Sequence, residues 1–408
     1  MKPSLKYRFL SITPQRAQEM RRGFLKRSHV ALHSSNVSAL RTVSGCGFVV
    51  LCLLLTGCTS SSKKLGPESY LDLTVQSPCE TKIFPHQTGA ACPAGEFDRF
   101  VIRQLTDFGE RPVWSPDGRR IAFMDKEFGN AYEYDLSTGE THCITCNFEH
   151  QGFLRVHYMK DGDYLLLGPK KFTSTFRSRY FGNGFFWMPA DRSSPPKWLG
   201  EEHYEGVAVS RESRLIAYAK TWLSHPFLIP STIYVAELTP QGQITDRRAV
   251  YRTMQLIETQ DFLPGDKGLT FARYTPNYDV MLLNLETGEA TNISKSPSSE
   301  EPEGIFPGGE FTLMESDRHS GLPGEMDLDI YMLRLDGTGQ DVRRLTRFTE
   351  TPGQKANNPV VSPDGCAIAF MKARKSEDRY KAQGEGAGIF LLEFYECAVN
   401  EELTGETP

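Results

Sequence analysis

Short apolar runs separated by turn residues recur along most of the chain, and the clearest pair flanks Asp117-Gly118. Pro112–Trp114 precedes this turn and Ile121–Phe123 follows it. A proline presets φ, an aspartate bonds back to the backbone and a glycine accepts a positive φ, so a tight turn is predicted here. Apolar runs of this length on both sides predict two buried strands. A well-matched second copy, Val360–Met371, lies near the end of the chain and indicates a repeat protein.

Weaker copies of the same unit fill the space between these two. Turns at positions 117, 161, 212, 266, 308 and 364 are 42 to 56 residues apart. An irregular period of about 40–55 residues is what a four-stranded propeller blade needs. The last repeat lacks a fourth strand, whereas a spare strand, Phe100–Thr106, precedes the first repeat. The sequence therefore predicts an all-β, six-bladed β-propeller closed by its N-terminal strand, because closure pairs edges that would otherwise invite aggregation.

These repeats resemble those of TolB-type propellers over about residues 100–396. The shared pattern is an apolar-x-Ser-Pro-Asp-Gly-x-x-Ile-Ala-Phe segment, then Ile-Tyr-x-x-Asp-x-x-x-Gly, then Leu-Thr, and Val113–Phe123 carries its first part. The resemblance implies a periplasmic scaffold that binds partners. The TolB-type amino-terminal domain is not evident in residues 59–99, so the chain is not expected to be TolB itself. A looser resemblance is to the propellers attached to prolyl-oligopeptidase-type enzymes, without their hydrolase.

The first 57 residues have the pattern of an export signal. They carry nine Lys or Arg and one Glu, and they end in the apolar run Phe48–Leu55 followed by small residues. The run is well short of the ~20 residues needed to span a bilayer. Leu55-Thr56-Gly57-Cys58 resembles the bacterial lipobox, which implies that residues 1–57 are removed and that Cys58 is lipidated. An ordinary signal or an uncleaved anchor is the alternative.

Removal of the signal takes the net charge from −5 to −13, so nucleic-acid binding is disfavoured. After Cys58, residues 58–99 are predicted to form a polar tether and a disulfide-stapled segment, residues 100–398 the propeller, and residues 399–408 a tail. Thr59 after the lipid-bearing cysteine, rather than an aspartate, favours the outer membrane in bacteria that sort lipoproteins in that way. We therefore expect a lipid-anchored domain in the bacterial cell envelope, facing the periplasm.

An even number of cysteines in an exported chain predicts disulfides. The Pro/Gly-rich segment between Cys79 and Cys92 favours a local bond between these two. Cys143-Ile144-Thr145-Cys146 is interpreted as a disulfide across a strand end. Its alternatives are bonds to other cysteines, a metal site with His142 or His150, and redox catalysis. The six candidates after Cys58 are Cys79, Cys92, Cys143, Cys146, Cys366 and Cys397.

The motifs of several common enzyme classes are missing from the sequence. An α/β-hydrolase needs a Gly-x-Ser-x-Gly elbow, and none occurs. Neither a Gly-x-Gly-x-x-Gly fingerprint nor a phosphate-binding Gly-Lys-Ser/Thr loop is present, so nucleotide binding has no support.

The entrance of the predicted channel supplies the candidate site. Propeller channels are lined by the innermost strands, so the residue four positions before Trp114, and its equivalent in each blade, should ring the entrance. Three or more carboxylates in a ring predict capture of a divalent cation or of a basic side chain from a partner. Solvated loop carboxylates are the alternative. The six positions are Glu110, Leu154, Glu205, Thr259, Glu301 and Asn357, with neighbours that include His203, Glu258, Gln260, Glu303 and Asn358.

The sequence thus predicts an envelope scaffold that binds proteins through this acidic mouth and its rim loops, with Glu110, Glu205, Glu301, Asn357 and His203 as binding residues. No cofactor is predicted beyond a possible divalent cation at the mouth. An aromatic stretch of blade two that contains Arg177 and Arg179 is a candidate contact loop. The alternative function is a metal-dependent enzyme acting on polysaccharide or peptide, similar to oligogalacturonate-lyase-like propellers. Its metal ligands would come from His150, His157, His203 and Gln260.

Overall fold

The computed structural model describes residues 81–82, 100–222, 229–274, 278–320, 326–374, 385–394 and 396–397. The chain divides into Met1–Lys64 and Leu65–Pro408, and every described residue belongs to the second unit. The predicted signal peptide, the lipidation site Cys58, the Cys79–Cys92 pair and the C-terminal tail lie outside the described residues. Within the described ranges, no helix has the length and apolar character needed to cross a membrane.

Six four-stranded antiparallel sheets account for most of the described chain, and a two-stranded sheet pairs β1 (Thr81–Lys82) with β26 (Glu396–Cys397). The first sheet consists of β3 (Glu110–Trp114), β4 (Arg120–Met124), β5 (Ala131–Asp135) and β6 (Thr141–Cys143). The second consists of β7 (Arg155–Tyr158), β8 (Tyr164–Pro169), β9 (Asn183–Met188) and β10 (Lys197–Glu202). The third consists of β11 (Tyr204–Val209), β12 (Leu215–Thr221), β13 (Ser231–Leu238) and β14 (Ile244–Thr253). The next two consist of β15 (Ile257–Phe262), β16 (Gly268–Arg273), β17 (Asp279–Asn284) and β18 (Ala290–Asn292); and β19 (Glu300–Ile305), β20 (Phe311–Ser316), β21 (Asp329–Arg334) and β22 (Val342–Arg344).

The sixth sheet is assembled from both ends of the ring. It contains β23 (Gln354–Val361), β24 (Ala367–Arg374), β25 (Glu385–Phe394) and the N-terminal strand β2 (Phe100–Gln104). β2 runs antiparallel to β25, with Phe100 opposite Phe394 and Gln104 opposite Phe390. The prediction that a spare N-terminal strand completes the last blade is therefore confirmed.

The helices found in the described part of the chain are short. There, α1 (Thr175–Tyr180) is the one α-helix and lies between β8 and β9, and 3-10 turns cover Pro264–Asp266, Arg318–Ser320 and Phe348–Glu350. Ser174 caps α1 by accepting a hydrogen bond from the backbone N–H of Arg177.

Six apolar clusters among the described residues show how the sheets are arranged. Each cluster contains side chains from two sheets that are consecutive in the chain, and the last joins the sixth sheet to the first. In that closing cluster Trp114 and Phe123 from blade one pack with Met371 and Leu391 from blade six. A series of sheets in which every face is buried against the next, and the last against the first, is a closed six-bladed β-propeller.

The predicted turns have the conformation that their residues favour. Ser115 Oγ donates to Asp117 Oδ1, which also accepts from the backbone N–H of Arg119, and Gly118 has a φ of 69°. The second clear copy repeats this arrangement around Asp364. The side chain of the serine and that of the aspartate therefore satisfy the turn's backbone groups, which explains why this pattern marks the blades.

Two disulfides involve described cysteines. β6 ends at Cys143, and a disulfide joins Cys143 to Cys146 three residues on. The strand has ended before Cys146, so the two side chains are free to meet on one side. Cys366 is also disulfide-bonded, and its partner lies outside the residues whose side chains are described.

Candidate functional site

The inner strands of five blades contain an irregularity that turns polar side chains toward the channel. β3, β11, β15, β19 and β23 each shift register against their neighbour, for example between Glu110 and Val113. A bulge re-aims side chains and increases the local twist. Three residues at these irregularities, Arg111, Glu205 and Asn358, have φ values of 54°, 48° and 49°. A positive φ is costly for residues other than glycine, so packing in the ring must hold these three in place.

The predicted mouth residues lie inside the ring rather than at an open entrance. Glu110, Glu205, Glu301 and Asn357 belong to the inner strands themselves, and they are 5%, 5%, 7% and 0% exposed. His203 is also buried, and its ring stacks on Phe185 with the centroids 4.0 Å apart. The structure therefore brings the carboxylates together in the channel but leaves His203 against an aromatic ring.

Three buried arginines accompany the carboxylates. Arg111 Nη1 donates to Glu110 Oε1 at 3.0 Å, Arg155 Nη2 contacts Glu258 Oε1 at 3.5 Å, and Arg179 Nε donates to Glu205 Oε1 at 2.7 Å. The sequence analysis did not assign Arg111 and Arg155, although each directly follows a position that it counted, Glu110 or Leu154. Charges inside a protein are stable when they are paired in this way. The protein's own guanidinium groups thus occupy the positions predicted for a partner's basic side chain.

Arg179 reaches the channel from outside the ring. It lies on α1, in the loop between β8 and β9, and its Nη1 also contacts Glu127 Oε1 at 3.4 Å. The next residue, Tyr180, stacks on Tyr204 at the start of β11, with the centroids 5.8 Å apart. Burial opposes ionisation of Glu205, but the charge of Arg179 outweighs it and lowers the pKa of that carboxyl. The pair therefore fastens α1 over the end of the channel where the inner strands begin.

Two further carboxylates share a tyrosine hydroxyl. Tyr274 Oη lies 2.6 Å from Glu258 Oε2 and 2.7 Å from Glu301 Oε1. One hydroxyl carries one proton, so the second short contact requires a proton on a carboxyl. Burial, reinforced by the charge of Glu205, raises the pKa of Glu258 to about 7, and burial also raises the pKa of Glu301 well above its ordinary value. This group therefore retains protons near neutral pH.

A second carboxylate pair is held by asparagines. Glu315 accepts from Asn357 Nδ2 at 3.2 Å and from the backbone N–H of Asn358 at 2.6 Å. Asn358 Nδ2 also contacts Glu303 Oε1 at 3.4 Å. Burial raises the pKa of both carboxyls, because desolvation disfavours their charged forms.

The residues of the predicted metal site do not meet. His150 Nε2 lies 2.9 Å from Asn130 Oδ1 between blades one and two, His203 stacks on Phe185, and His157 and Gln260 line a separate cavity. Burial lowers the pKa of His157 and His203 to about 3, so both rings are neutral at physiological pH. Across the described ranges, no group of three or more His, Cys, Asp or Glu is arranged to hold a metal ion.

Comparison with known proteins supports the propeller fold and nothing more specific. No protein-family model and no curated protein matches the chain. Among solved structures it is similar to TolB from Acinetobacter baumannii, at 11% identity and a TM-score of 0.45, over 74% of this chain and 65% of that one, just under two thirds of its length. A putative TolB from Agrobacterium tumefaciens matches at 14% identity and a TM-score of 0.34 over 73% and 99%. An oligogalacturonate lyase in complex with manganese matches at 13% identity and a TM-score of 0.45 over 71% and 79%.

Proposed function

We propose that the protein is a lipid-anchored propeller of the bacterial cell envelope that binds an acidic protein partner through the contact loop of blade two, residues 170–182. The observation that carries this proposal is a group of exposed aromatic side chains on that loop. Phe172, Phe176 and Phe181 are 39%, 45% and 54% exposed. They are three of only five large apolar side chains that are exposed within the described ranges. Clustered exposed aromatics are typical of protein interfaces.

The charge of the loop supports an acidic partner. Residues 164–190 contain four basic residues and no Asp or Glu, whereas the chain from Cys58 onward has a net charge of −13. Lys170, Lys171 and Arg177 are exposed beside the phenylalanines. A basic patch attracts an acidic surface on a partner.

The predicted mouth residues have a different role in this proposal. Glu205 holds Arg179, and Arg179 belongs to α1, which also carries Phe176. Glu205 is therefore a positioning residue that keeps the contact loop in place. Glu110, Glu301 and Asn357 stabilise the channel below it through Arg111, Tyr274 and Glu315.

The metal-dependent enzyme that the sequence left as an alternative gains no support from the positions of its residues. It needs histidines and a glutamine on one ion, and His150, His203 and Gln260 lie in three different surroundings. We therefore advance no second function.

The proposal is tested by placing a photoactivatable phenylalanine analogue at single positions of the full-length protein in living cells. A probe at Phe176 or Phe181 should form one dominant adduct with an envelope protein of acidic surface. The matched control is Trp222, which is 68% exposed and lies outside the loop. A probe there should not form that adduct.

Charge reversal separates specific capture from chance contact. Changing Lys170 and Lys171 to Glu should remove the adduct without changing the thermal stability, because both side chains are exposed. Adducts of equal yield from Phe176 and Trp222, or an adduct that survives charge reversal, would contradict the proposal.

A further inference from the structure

A cavity of about 390 Å³ occupies the other end of the channel. All six blades contribute to it, through their inner strands and through the turns that follow those strands. It opens between exposed turn residues such as Pro116, Lys160 and Pro307. Its inner end is formed by Arg111, Arg155, Gln260, Glu303 and Asn358. A cavity of this size falls within the range of small-molecule sites, which is about 300–1,000 Å³.

The walls and the inner end differ in chemistry. The walls are lined by three partly exposed valines, Val113, Val209 and Val360. The buried ring of Phe262 also lines them. Arginine, glutamate and amide side chains form the inner end. Two further polar side chains line the cavity: His157, and Asp261, which is already bonded to Arg211 and to the backbone N–H of Ile305. An apolar body with a single polar head therefore fits this cavity best.

Some buried polar atoms of the residues that line the cavity have no hydrogen-bond partner within the described ranges. One is Nε2 of His157, on β7, and two more lie at the inner end. These two are Arg155 Nε, on a residue that is 7% exposed, and Asn358 Oδ1, on a residue that is 2% exposed. Buried polar atoms without partners are rare in proteins, because burial removes their contacts with water. A ligand that satisfies both must offer an acceptor to Arg155 and a donor to Asn358.

The charge at the inner end favours an anionic acceptor. Arg111 and Arg155 both reach this layer. Burial raises the pKa of Glu303 well above its ordinary value, which favours the neutral form of this carboxyl. A carboxylate on the ligand would bond to the guanidinium of Arg155, which is a strong and directional pairing.

We propose that this cavity binds the carboxylate of a small organic acid that has an apolar body and an N–H donor next to the carboxylate. The carboxylate accepts from Arg155, the N–H donates to Asn358 Oδ1, and the body lies along the valines. The C-terminal residue of a peptide and a free N-acyl amino acid share this chemistry. The site is independent of the proposed function, since it lies at the opposite end of the channel from α1.

The test is a titration of the full-length protein with N-acetyl-leucine, followed by calorimetry or ligand-observed NMR. Its uncharged amide, N-acetyl-leucinamide, has the same body and the same N–H. We expect the acid to bind at least about tenfold more tightly than the amide, because only the acid pairs with the guanidinium. A matched pair, acetyl-alanyl-leucine and its amide, distinguishes the sources. Tighter binding of this peptide than of N-acetyl-leucine identifies a peptide C-terminus, and the reverse identifies a free acid.

Variants locate the binding in the cavity. Arg155→Gln should weaken binding of the acid at least about tenfold. Asn358→Gly should weaken both ligands, and glycine keeps the positive φ that this position requires. Lys160→Gln is the matched control, since Lys160 lies at the exposed rim of the same cavity and should leave the affinity within about twofold.

Three outcomes would overturn the proposal. The first is no binding of either acid up to about 10 mM, which would leave the cavity to water. The second is equal affinity for acid and amide in the unaltered protein, a comparison that does not depend on whether a variant folds. The third is unchanged affinity in a folded Arg155→Gln protein.

Discussion

The buried pair of Arg179 and Glu205 offers a quantitative test of how the contact loop is held. Both residues are 5% exposed, and Nε and Nη2 of the guanidinium both contact Glu205 Oε1. Arg179→Met removes the charge while keeping most of the side-chain bulk. The carboxylate of Glu205 then remains buried without that cation, and its charge still raises the pKa of Glu258. We expect this substitution to lower the free energy of unfolding and to release α1.

The magnitude follows from the pKa of the stranded carboxyl. Breaking a buried ion pair by removing one partner costs about 3–5 kcal/mol. Glu205 can limit this cost by taking up a proton, starting from an ordinary pKa of 4.5. At pH 7 that uptake costs on the order of 3 kcal/mol, since each pH unit corresponds to about 1.4 kcal/mol. At pH 5 the same uptake costs less than about 1 kcal/mol, so the effect of Arg179→Met must shrink on acidification.

Glu205→Gln provides the opposite half of the experiment. It leaves the guanidinium of Arg179 buried with only the longer contact to Glu127, and a guanidinium does not lose its proton at these pH values. Its cost should therefore not shrink on acidification, and it should be larger at pH 5 than at pH 7, because removal of the Glu205 charge lowers the pKa of Glu258. The double variant should cost less than the sum of the two single variants, because each single variant already breaks the same pair.

Urea denaturation of the full-length variants measures these costs, and hydrogen exchange of residues 172–182 reports release of the loop. The matched control is Arg347→Met, because Arg347 and Glu350 form a pair in which both side chains are 61% exposed. An exposed pair contributes less than about 1 kcal/mol. The reasoning is refuted if Arg179→Met costs no more than the control at pH 7, or if its cost is the same at pH 5 and pH 7.

Two further predictions concern the whole ring. The pKa of Glu258 is about 7 in the folded state against an ordinary 4.5, so between these pH values the folded state holds more protons than the unfolded state, and this contribution to stability is lost as pH rises. Glu258→Gln should therefore flatten the dependence of the urea denaturation midpoint on pH in that window. An unchanged dependence would contradict the assignment. Val101→Pro removes the N–H that β2 directs at Glu393 of β25, because the backbone bond from Leu105 N–H to Ile389 C=O makes the odd-numbered residues of β2 the hydrogen-bonded ones. We expect a loss of about 3 kcal/mol and aggregation through the freed edge of β25, measured by urea denaturation and light scattering. A variant that stays monomeric and as stable as the parent would show that β2 does not secure the ring.

Much of the fold could be predicted because its signals are local. The turn at Asp117-Gly118 satisfies its own backbone through Ser115 and Asp117, so the same few residues mark the turn wherever it recurs. The closing strand β2 could be inferred from a count of strands, since a ring leaves no strand unpaired. Neither inference required knowledge of the tertiary contacts between side chains.

The arrangement of the site could be predicted only in part, because it depends on irregular strands and on a distant loop. Counting back from Trp114 found Glu110, Glu205 and Glu301, but the count assumes regular strands, and each of these residues lies beside a bulge. Prolines inside the inner strands, at positions 112, 302 and 359, were the available signal, since a proline within a strand often marks a bulge. Arg179 is reached through a loop of blade two, and no periodicity in the sequence places it beside Glu205.

The three arginines explain why the two proposed sites should act independently. Arg111 pairs with Glu110 and Arg179 with Glu205, so both are held by carboxylates in the layer where the inner strands begin. Arg155 contacts Glu258 only at 3.5 Å, and burial raises the pKa of that carboxyl to about 7. The ion pair between them is therefore weakened near neutral pH. Arg155 is therefore the arginine best able to accept an anion from the cavity, whereas Arg179 is committed to the loop. It follows that Glu205→Gln should disturb capture of a protein by the contact loop and spare carboxylate binding, and that Arg155→Gln should do the reverse. A single channel-wide site would instead lose both together in either variant.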